Sequence, residues 1–220
     1  MSAAPVIAID GPSASGKGTV GQRVGQILGF HHLDSGALYR LVALAAAHEG
    51  VEAGDEAATA ALAAQLPARF EGNEIFLADR RVTDAIRTEE CSAAASVVAA
   101  HPQVRQALLL RQRAFRRSPG LVAEGRDMGS VVFPDAGLKV FLTASLEVRA
   151  ERRYKQLNEK GITATLSALL QDLRERDARD ATRSVAPLKQ SPGARLLDTT
   201  SMSAGQAAAL VVDWYRGANR

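Results

Sequence analysis

The sequence predicts an α/β protein: a doubly wound, parallel, five-stranded sheet with helices on both faces, interrupted by an inserted subdomain. Three observations predict it. Five short apolar runs, Val6–Asp10, Phe30–Asp34, Leu121–Glu124, Lys139–Thr143 and Arg195–Asp198, are mostly separated by helical patterns. That alternation builds βαβ units and buries a parallel sheet from both sides. The first run leads into Gly11-Pro12-Ser13-Ala14-Ser15-Gly16-Lys17-Gly18-Thr19, the G-x-x-x-x-G-K pattern that joins a buried strand to a helix. From about residue 52 to 95 the alternation stops and short strand patterns replace it, which marks the insert.

The glycines of the phosphate loop (P-loop) let backbone N–H groups crowd around a polyphosphate, an approach that a Cβ would obstruct. The helix starting near Lys17 turns the positive end of its dipole toward the same anion. Lys17 adds a mobile full charge for the β- and γ-phosphates. The loop therefore predicts nucleoside triphosphate binding. Gly18 stands where Ser or Thr usually coordinates Mg²⁺, and Thr19 follows one residue later as the expected metal ligand.

Along the chain, Gly29 supplies a helix stop ahead of the second strand. An alanine-rich helix is expected over Asp55–Leu66, ending at Pro67. The runs Arg69–Glu71 and Glu74–Leu77 flank the turn signal Gly72-Asn73, with Arg81–Thr83 as a third strand; together they read as a small antiparallel meander. Pro102 can open a helix, and the periodic run Val104–Arg117 ends at Pro119-Gly120. The last helix opens on Ser203-x-x-Gln206, a capping box, and stops near Gly217.

A chain of 220 residues can bury a core as one domain carrying an insert. The single cysteine, Cys91, excludes an internal disulfide framework and leaves no zinc cluster. No segment has the pattern of a secretory signal, and no apolar run approaches membrane-spanning length. A cytoplasmic protein without a membrane partner is expected. A net charge of +3 with only 5% aromatic residues is a poor footprint for nucleic acid, so none is expected as a partner. The four histidines lack metal-ligand spacing and no G-x-S-x-G elbow occurs, which leaves hydrolase chemistry unsupported.

Four further polar clusters fall at the ends of predicted elements, where an open parallel sheet places its ligands. In Asp34-Ser35-Gly36-Ala37-Leu38-Tyr39-Arg40, Ser35 is expected to cap a helix and Arg40 to point back toward its start; an N-cap beside a solvated arginine is the plainer alternative. Glu124-Gly125-Arg126-Asp127-Met128-Gly129 sets a fork of donors beside a carboxylate, suited to a phosphate and a base, or else to a turn closed by an Arg126–Asp127 pair. Arg176, Asp180 and Arg183 recur at i, i+4 and i+7, so they share a helical face, or form a solvated ladder. Arg149, Arg152 and Arg153 could close over a triphosphate as arginine fingers do, or line a solvated basic face.

With these motifs together, the chain resembles the bacterial cytidylate kinases from end to end. The likeness rests on Gly11–Thr19, Asp34–Arg40, Ile86-Arg87-Thr88, Arg105 with its Leu-rich helix, Glu124–Gly129 and Arg176–Pro187. The resemblance implies a single P-loop kinase domain over residues 1–220, a monophosphate-binding insert at about 52–95 and a short lid at about 149–162; a monomeric chain is expected. It implies transfer of the γ-phosphate of ATP to CMP or dCMP with Mg²⁺. Ser35, Arg105, Asp127 and Arg183 would surround cytosine; Arg40 and Arg126 would hold the acceptor phosphate; Ser96, Arg176 and Asp180 would meet the sugar. Lys17, Arg126, Arg152 and Arg153 would be the catalytic set.

The base assignment has a chemical argument of its own. Cytosine offers an N4 amino donor beside ring acceptors, so a carboxylate and an arginine read it. Uracil turns an oxygen toward that carboxylate, and a mismatched buried polar group discriminates strongly. No covalent intermediate is needed, because the acceptor is already an anion. The competing readings are a kinase for another monophosphate or a small metabolite, and a nucleotide-gated switch. A GTPase switch would carry an N-K-x-D motif, which this sequence lacks.

Overall fold

The computed structural model describes residues 3–72, 74–159, 161–183 and 185–218. The chain forms two compact units, one from the residues up to Leu33 with those from Phe115 onward, the other from Asp34–Ala114.

In the first unit, β1 (Val6–Asp10) is the central strand of a five-stranded parallel sheet. The order is β2 (His31–Asp34), β6 (Leu121–Gly125), β1, β7 (Leu138–Thr143), β8 (Arg195–Asp198). Register runs Val6 to Leu121 through Asp10 to Gly125 on one side, and Ile7 to Leu138 through Asp10 to Phe141 on the other. Every residue of β1 and β6 is buried, as expected for central strands covered on both faces. The edge strands β2 and β8 depart from the uniformly buried expectation, because each has one ladder side and several side chains open to water. Helices α1 (Lys17–Leu28) and α8 (Ala204–Ala218) close one face, where Val20, Val24, Ala207, Val211 and Val212 meet Ile7, Ile9, Val122, Val140 and Leu142. The capping box is made: Gln206 N–H donates to Ser203 Oγ at 3.2 Å, and Ser203 N–H donates to Gln206 Oε1 at 2.9 Å. Helices α6 (Leu146–Asn158) and α7 (Leu166–Thr182) pack through Ala150, Leu157, Leu169 and Leu173.

The second unit contains α2 (Ser35–His48), α3 (Glu56–Ala64), the antiparallel strands β3 (Ala68–Glu71), β4 (Glu74–Leu77) and β5 (Arg80–Arg81), then α4 (Glu89–Val98) and α5 (Pro102–Arg113). The segment 52–95 read from the sequence falls inside this unit. The turn residue Asn73 lies outside the described residues. The third strand is shorter and earlier than expected. Thr83 leaves the ladder because its hydroxyl accepts from Ile75 N–H at 2.9 Å and donates to Glu74 at 2.9 Å, so a side chain replaces a strand bond. Helix α5 also stops short of Arg117. Beyond it Arg116 donates to the Ala4 carbonyl at 2.6 Å and to Asp135 at 2.7 Å, which draws the chain into the first unit. Among the described residues no helix is long and apolar enough to cross a membrane.

Candidate active site

The strand order reverses direction at β1, and the crevice beyond the carboxyl ends of the strands at such a point is where doubly wound sheets bind ligands. The phosphate loop leaves β1 there. A Cβ on Gly11 would lie 1.9 Å from the Leu142 carbonyl oxygen, so only glycine fits. Gly16 caps α1 at φ 99°, a left-handed conformation natural to glycine, and Ala14 also takes a left-handed φ of 56°. No side chain caps α1 and its first turn holds no acid, so its leading N–H groups face the loop. Lys17 Nζ is buried and donates to the Pro12 carbonyl at 2.8 Å. The Ser15 hydroxyl is buried with no hydrogen-bond partner among the described residues, while Thr19 is exposed.

The arginines of α6 clasp the carbonyl side of that loop. Arg149 Nη1 donates to the Ser13 carbonyl at 3.1 Å, and its guanidinium pairs with both Asp177 oxygens at 3.1 and 2.6 Å. Arg152 donates to the Ser15 carbonyl at 3.0 Å and to the Thr199 carbonyl at 2.6 Å. The Ser13 and Ser15 carbonyls of the loop are engaged by these two arginines. Arg149 thus braces the loop from a buried position, and does not line a solvated basic face. Arg153 runs along its own helix to Gln156 at 3.5 Å.

Asp180 gathers the predicted substrate arginines of this unit. Its buried carboxylate accepts from Arg126 Nε at 2.7 Å and pairs with Arg183. Burial pushes its carboxyl up, but the charges of Arg126, Arg183 and Arg176 outweigh that and hold it below the ordinary range. The helical face is shorter than the spacing predicts: α7 ends at Thr182, and Arg183 folds back across the helix end with ψ 136°. Arg126 reaches Asp180, 54 positions away, instead of closing a turn with Asp127. Asp127 is buried, at the start of a five-residue π turn, Met128–Val132.

Two carboxylates had no role in the sequence reading. Glu124, the penultimate residue of β6, has Oε1 3.3 Å from His32 Nε2 and 3.2 Å from where a Cβ on Gly18 would stand. Asp10 ends β1 and accepts from the N–H groups of Met128 and Gly129, each at 2.8 Å. Burial outweighs those donors and raises its carboxyl to about 6, with Asp127 adding to the rise and Lys17 opposing it. A charged residue closing an otherwise apolar central strand was the available signal in both cases.

In the second unit the helix cap is Asp34, not Ser35. Asp34 Oδ1 accepts from Ala37 N–H at 3.1 Å while Oδ2 accepts from Arg40 at 2.6 Å, which leaves Ser35 buried as the first residue of α2. The Ser96 hydroxyl on α4 is buried without a hydrogen-bond partner among the described residues. Arg105 on α5 donates to the Ala99 carbonyl at 2.9 Å and lies 5.6 Å from the Tyr39 ring centroid. Cys91 donates its thiol to the Arg40 carbonyl at 3.3 Å, and burial raises its pKa.

A parallel sheet that delivers a phosphate loop to a helix start, with buried arginines and acids at its strand ends, defines a P-loop α/β phosphotransferase. A gluconokinase from Sinorhizobium meliloti has a similar fold, with a TM-score of 0.50 at 16% identity over 98% of this chain and 94% of that one. A model of the cytidylate kinase family matches residues 7–216, and the chain belongs to that family. It is 59% identical to a cytidylate kinase of Polynucleobacter asymbioticus over 99% of each chain. It is 58% identical to one of Bordetella bronchiseptica over 97% of this chain and 96% of that one. The protein is an enzyme, a nucleoside monophosphate kinase.

Proposed function

We propose that this enzyme transfers the γ-phosphoryl group of ATP directly to CMP and dCMP, releasing ADP with CDP or dCDP. The observation that carries the reading is Asp180, which holds Arg126 and Arg183 on one buried carboxylate. The first arginine comes from the Glu124–Gly129 cluster and the second from the Arg176–Arg183 cluster. Fixed guanidinium forks of this kind suit a phosphate and a base edge.

In this reading Gly11 through Thr19 bind the triphosphate, and Lys17 stabilises charge on the transferring group. Arg126 in the first unit and Arg40 in the second bind the acceptor phosphate. Asp127, Arg183, Ser35 and Arg105 read cytosine, while Arg176, Asp180 and Ser96 serve the sugar. Arg152 and Arg153 complete the charge on the donor side, Arg152 from its anchorage on the Ser15 carbonyl. Residues 52–95 are assigned to monophosphate binding and 149–162 to the lid.

Mg²⁺ suits the hard oxygen donors near the loop: the Glu124 carboxylate beside Gly18, the buried Ser15 hydroxyl and the Thr19 hydroxyl. It keeps few protein ligands when it bridges phosphates, and bound there it would neutralise charge on the β- and γ-oxygens.

The chain is assigned to the cytoplasm as a monomer, so light scattering after gel filtration should return a mass near 23.3 kDa. A coupled ADP-release assay across CMP, dCMP, UMP, AMP and GMP tests the substrate. CMP and dCMP should give the highest kcat/KM. AMP or GMP turned over faster would make it a kinase for another monophosphate, and binding of ATP without turnover of any acceptor would make it a switch.

A further inference from the structure

We propose that Asp10 is a positioning residue for Arg126 and Asp127: it fixes both ends of the two-residue step on which they stand, and so prepares the acceptor site from the strand that leads into the phosphate loop. The inference rests on the reading that Arg126 and Asp127 bind the acceptor.

The geometry is a bracket. On one side of the step, Gly125 is the register partner of Asp10 in the β1–β6 ladder. On the other, the two oxygens of the Asp10 side chain take the N–H groups of Met128 and Gly129 separately, Oδ1 at 2.8 Å and Oδ2 at 2.8 Å. One residue therefore holds the chain before and after Arg126-Asp127, through its backbone and its side chain.

The bracket also explains the π turn. In that turn Val132 N–H reaches the Asp127 carbonyl at 3.2 Å and Phe133 N–H reaches the Met128 carbonyl at 2.7 Å. Met128 and Gly129 are its first two residues, whose N–H groups have no carbonyl behind them within the turn. The Asp10 carboxylate takes both, where a buried unpaired N–H would be costly. Asp10 is itself closely enclosed: it is 4% exposed, and a Cβ on the next residue, Gly11, would collide with the Leu142 carbonyl. Among the described residues, the charges of Asp127 and Lys17 act on it, one from each half of the proposed reaction.

Asp10→Asn is the test. The amide keeps the shape, but its NH₂ must face one of the two peptide N–H groups, donor against donor. KM for CMP should rise at least about 10-fold, the scale of a lost charged hydrogen bond, while KM for ATP and ATP affinity by calorimetry stay within about 3-fold. Hydrogen exchange at Met128 and Gly129 should accelerate by a similar factor. Equal changes in both KM values, or none in either, would overturn the inference and leave Asp10 a general stability residue. Arg126→Ala separates the two levels. If it leaves CMP kinetics unchanged, the site reading itself fails; if it is damaging while Asp10→Asn is not, only the positioning role fails. Should Asp10→Asn not fold, the parent decides, since fast exchange at either amide is incompatible with the bracket.

Discussion

Replacing Asp180 by Asn removes one negative charge from between two guanidinium groups and leaves the shape intact. In the parent, Arg126 Nε and Arg183 Nη2 donate to separate oxygens of this carboxylate, which is 1% exposed at its side chain. Breaking a buried ion pair by removing one partner costs about 3–5 kcal/mol. The amide retains one acceptor, and Arg126 keeps some contact with water at 17% exposure, so the expected loss is about 2–4 kcal/mol. In a protein of this length that lowers Tm by about 5–15 °C. Arg126 would also lose its fixed aim, so kcat/KM for CMP should fall about 100-fold while KM for ATP holds within about 3-fold. The pH dependence has a definite sign. Because the folded carboxyl titrates below its ordinary range, its stabilising contribution is present above that range and disappears as pH falls through the folded value. The Tm gap between parent and variant should therefore be full at pH 7 and close in strong acid. Thermal melts by circular dichroism and initial rates against both substrates are sufficient. A Tm within about 1 °C of the parent with CMP kinetics within about 2-fold would refute the reasoning.

Lys17→Met should nearly abolish turnover in a folded protein, because a charge on the transferring phosphate acts in the transition state; half the parent kcat would contradict that role. Asp127→Asn should narrow the preference for CMP over UMP. CMP loses about 1–3 kcal/mol of transition-state binding and UMP loses less, and an unchanged ratio of the two kcat/KM values would mean that another group reads the base. Asp10 gives a pH effect opposite to that of Asp180. Its folded pKa of about 6 lies above the ordinary 3.8, so its contribution is fully present below the ordinary value and lost as pH rises through 6. Relative to Asp10→Asn, the parent should gain about 2 kcal/mol between pH 7 and pH 4, measured as denaturant midpoints; a flat difference would show that the group does not titrate there.

Much of the architecture is legible in the sequence because parallel strands and phosphate loops leave local signals. The run Val6–Asp10 followed by Gly11 through Thr19 specifies strand, loop and helix within a few residues, and Ser203 with Gln206 marks the last helix by its cap. What escapes notice depends on partners distant in the chain. Asp180 is recognisable as one of a charged set, yet nothing near it in sequence says that Arg126 is its partner. Arg149 reads as a basic helix residue until Ser13 and Asp177 are found against it. In the sequence Asp10 and Glu124 read only as strand ends, because their roles depend on Met128, Gly129 and His32. The sequence points to Ser35 as the cap, whereas the bond from Ala37 N–H to Asp34 shows that the cap lies one residue earlier.

The sheet order has a consequence for how the chain is made. The first strand synthesised is the central one, and it has no partner until much later: Val6 waits for Leu121, and Ile7 for Leu138. At about 5–20 residues per second that wait is roughly ten seconds, during which the whole of Asp34–Ala114 emerges. Closing so long a loop costs about 4 kcal/mol of chain entropy, and helix α8, which seals α1 against the sheet, arrives last. The nascent protein therefore carries an unpaired Val-Ile-Ala-Ile segment, with Asp10 as the one charge to discourage its association with other chains. Stalled or truncated products lacking β7 and α8 would expose this strand permanently.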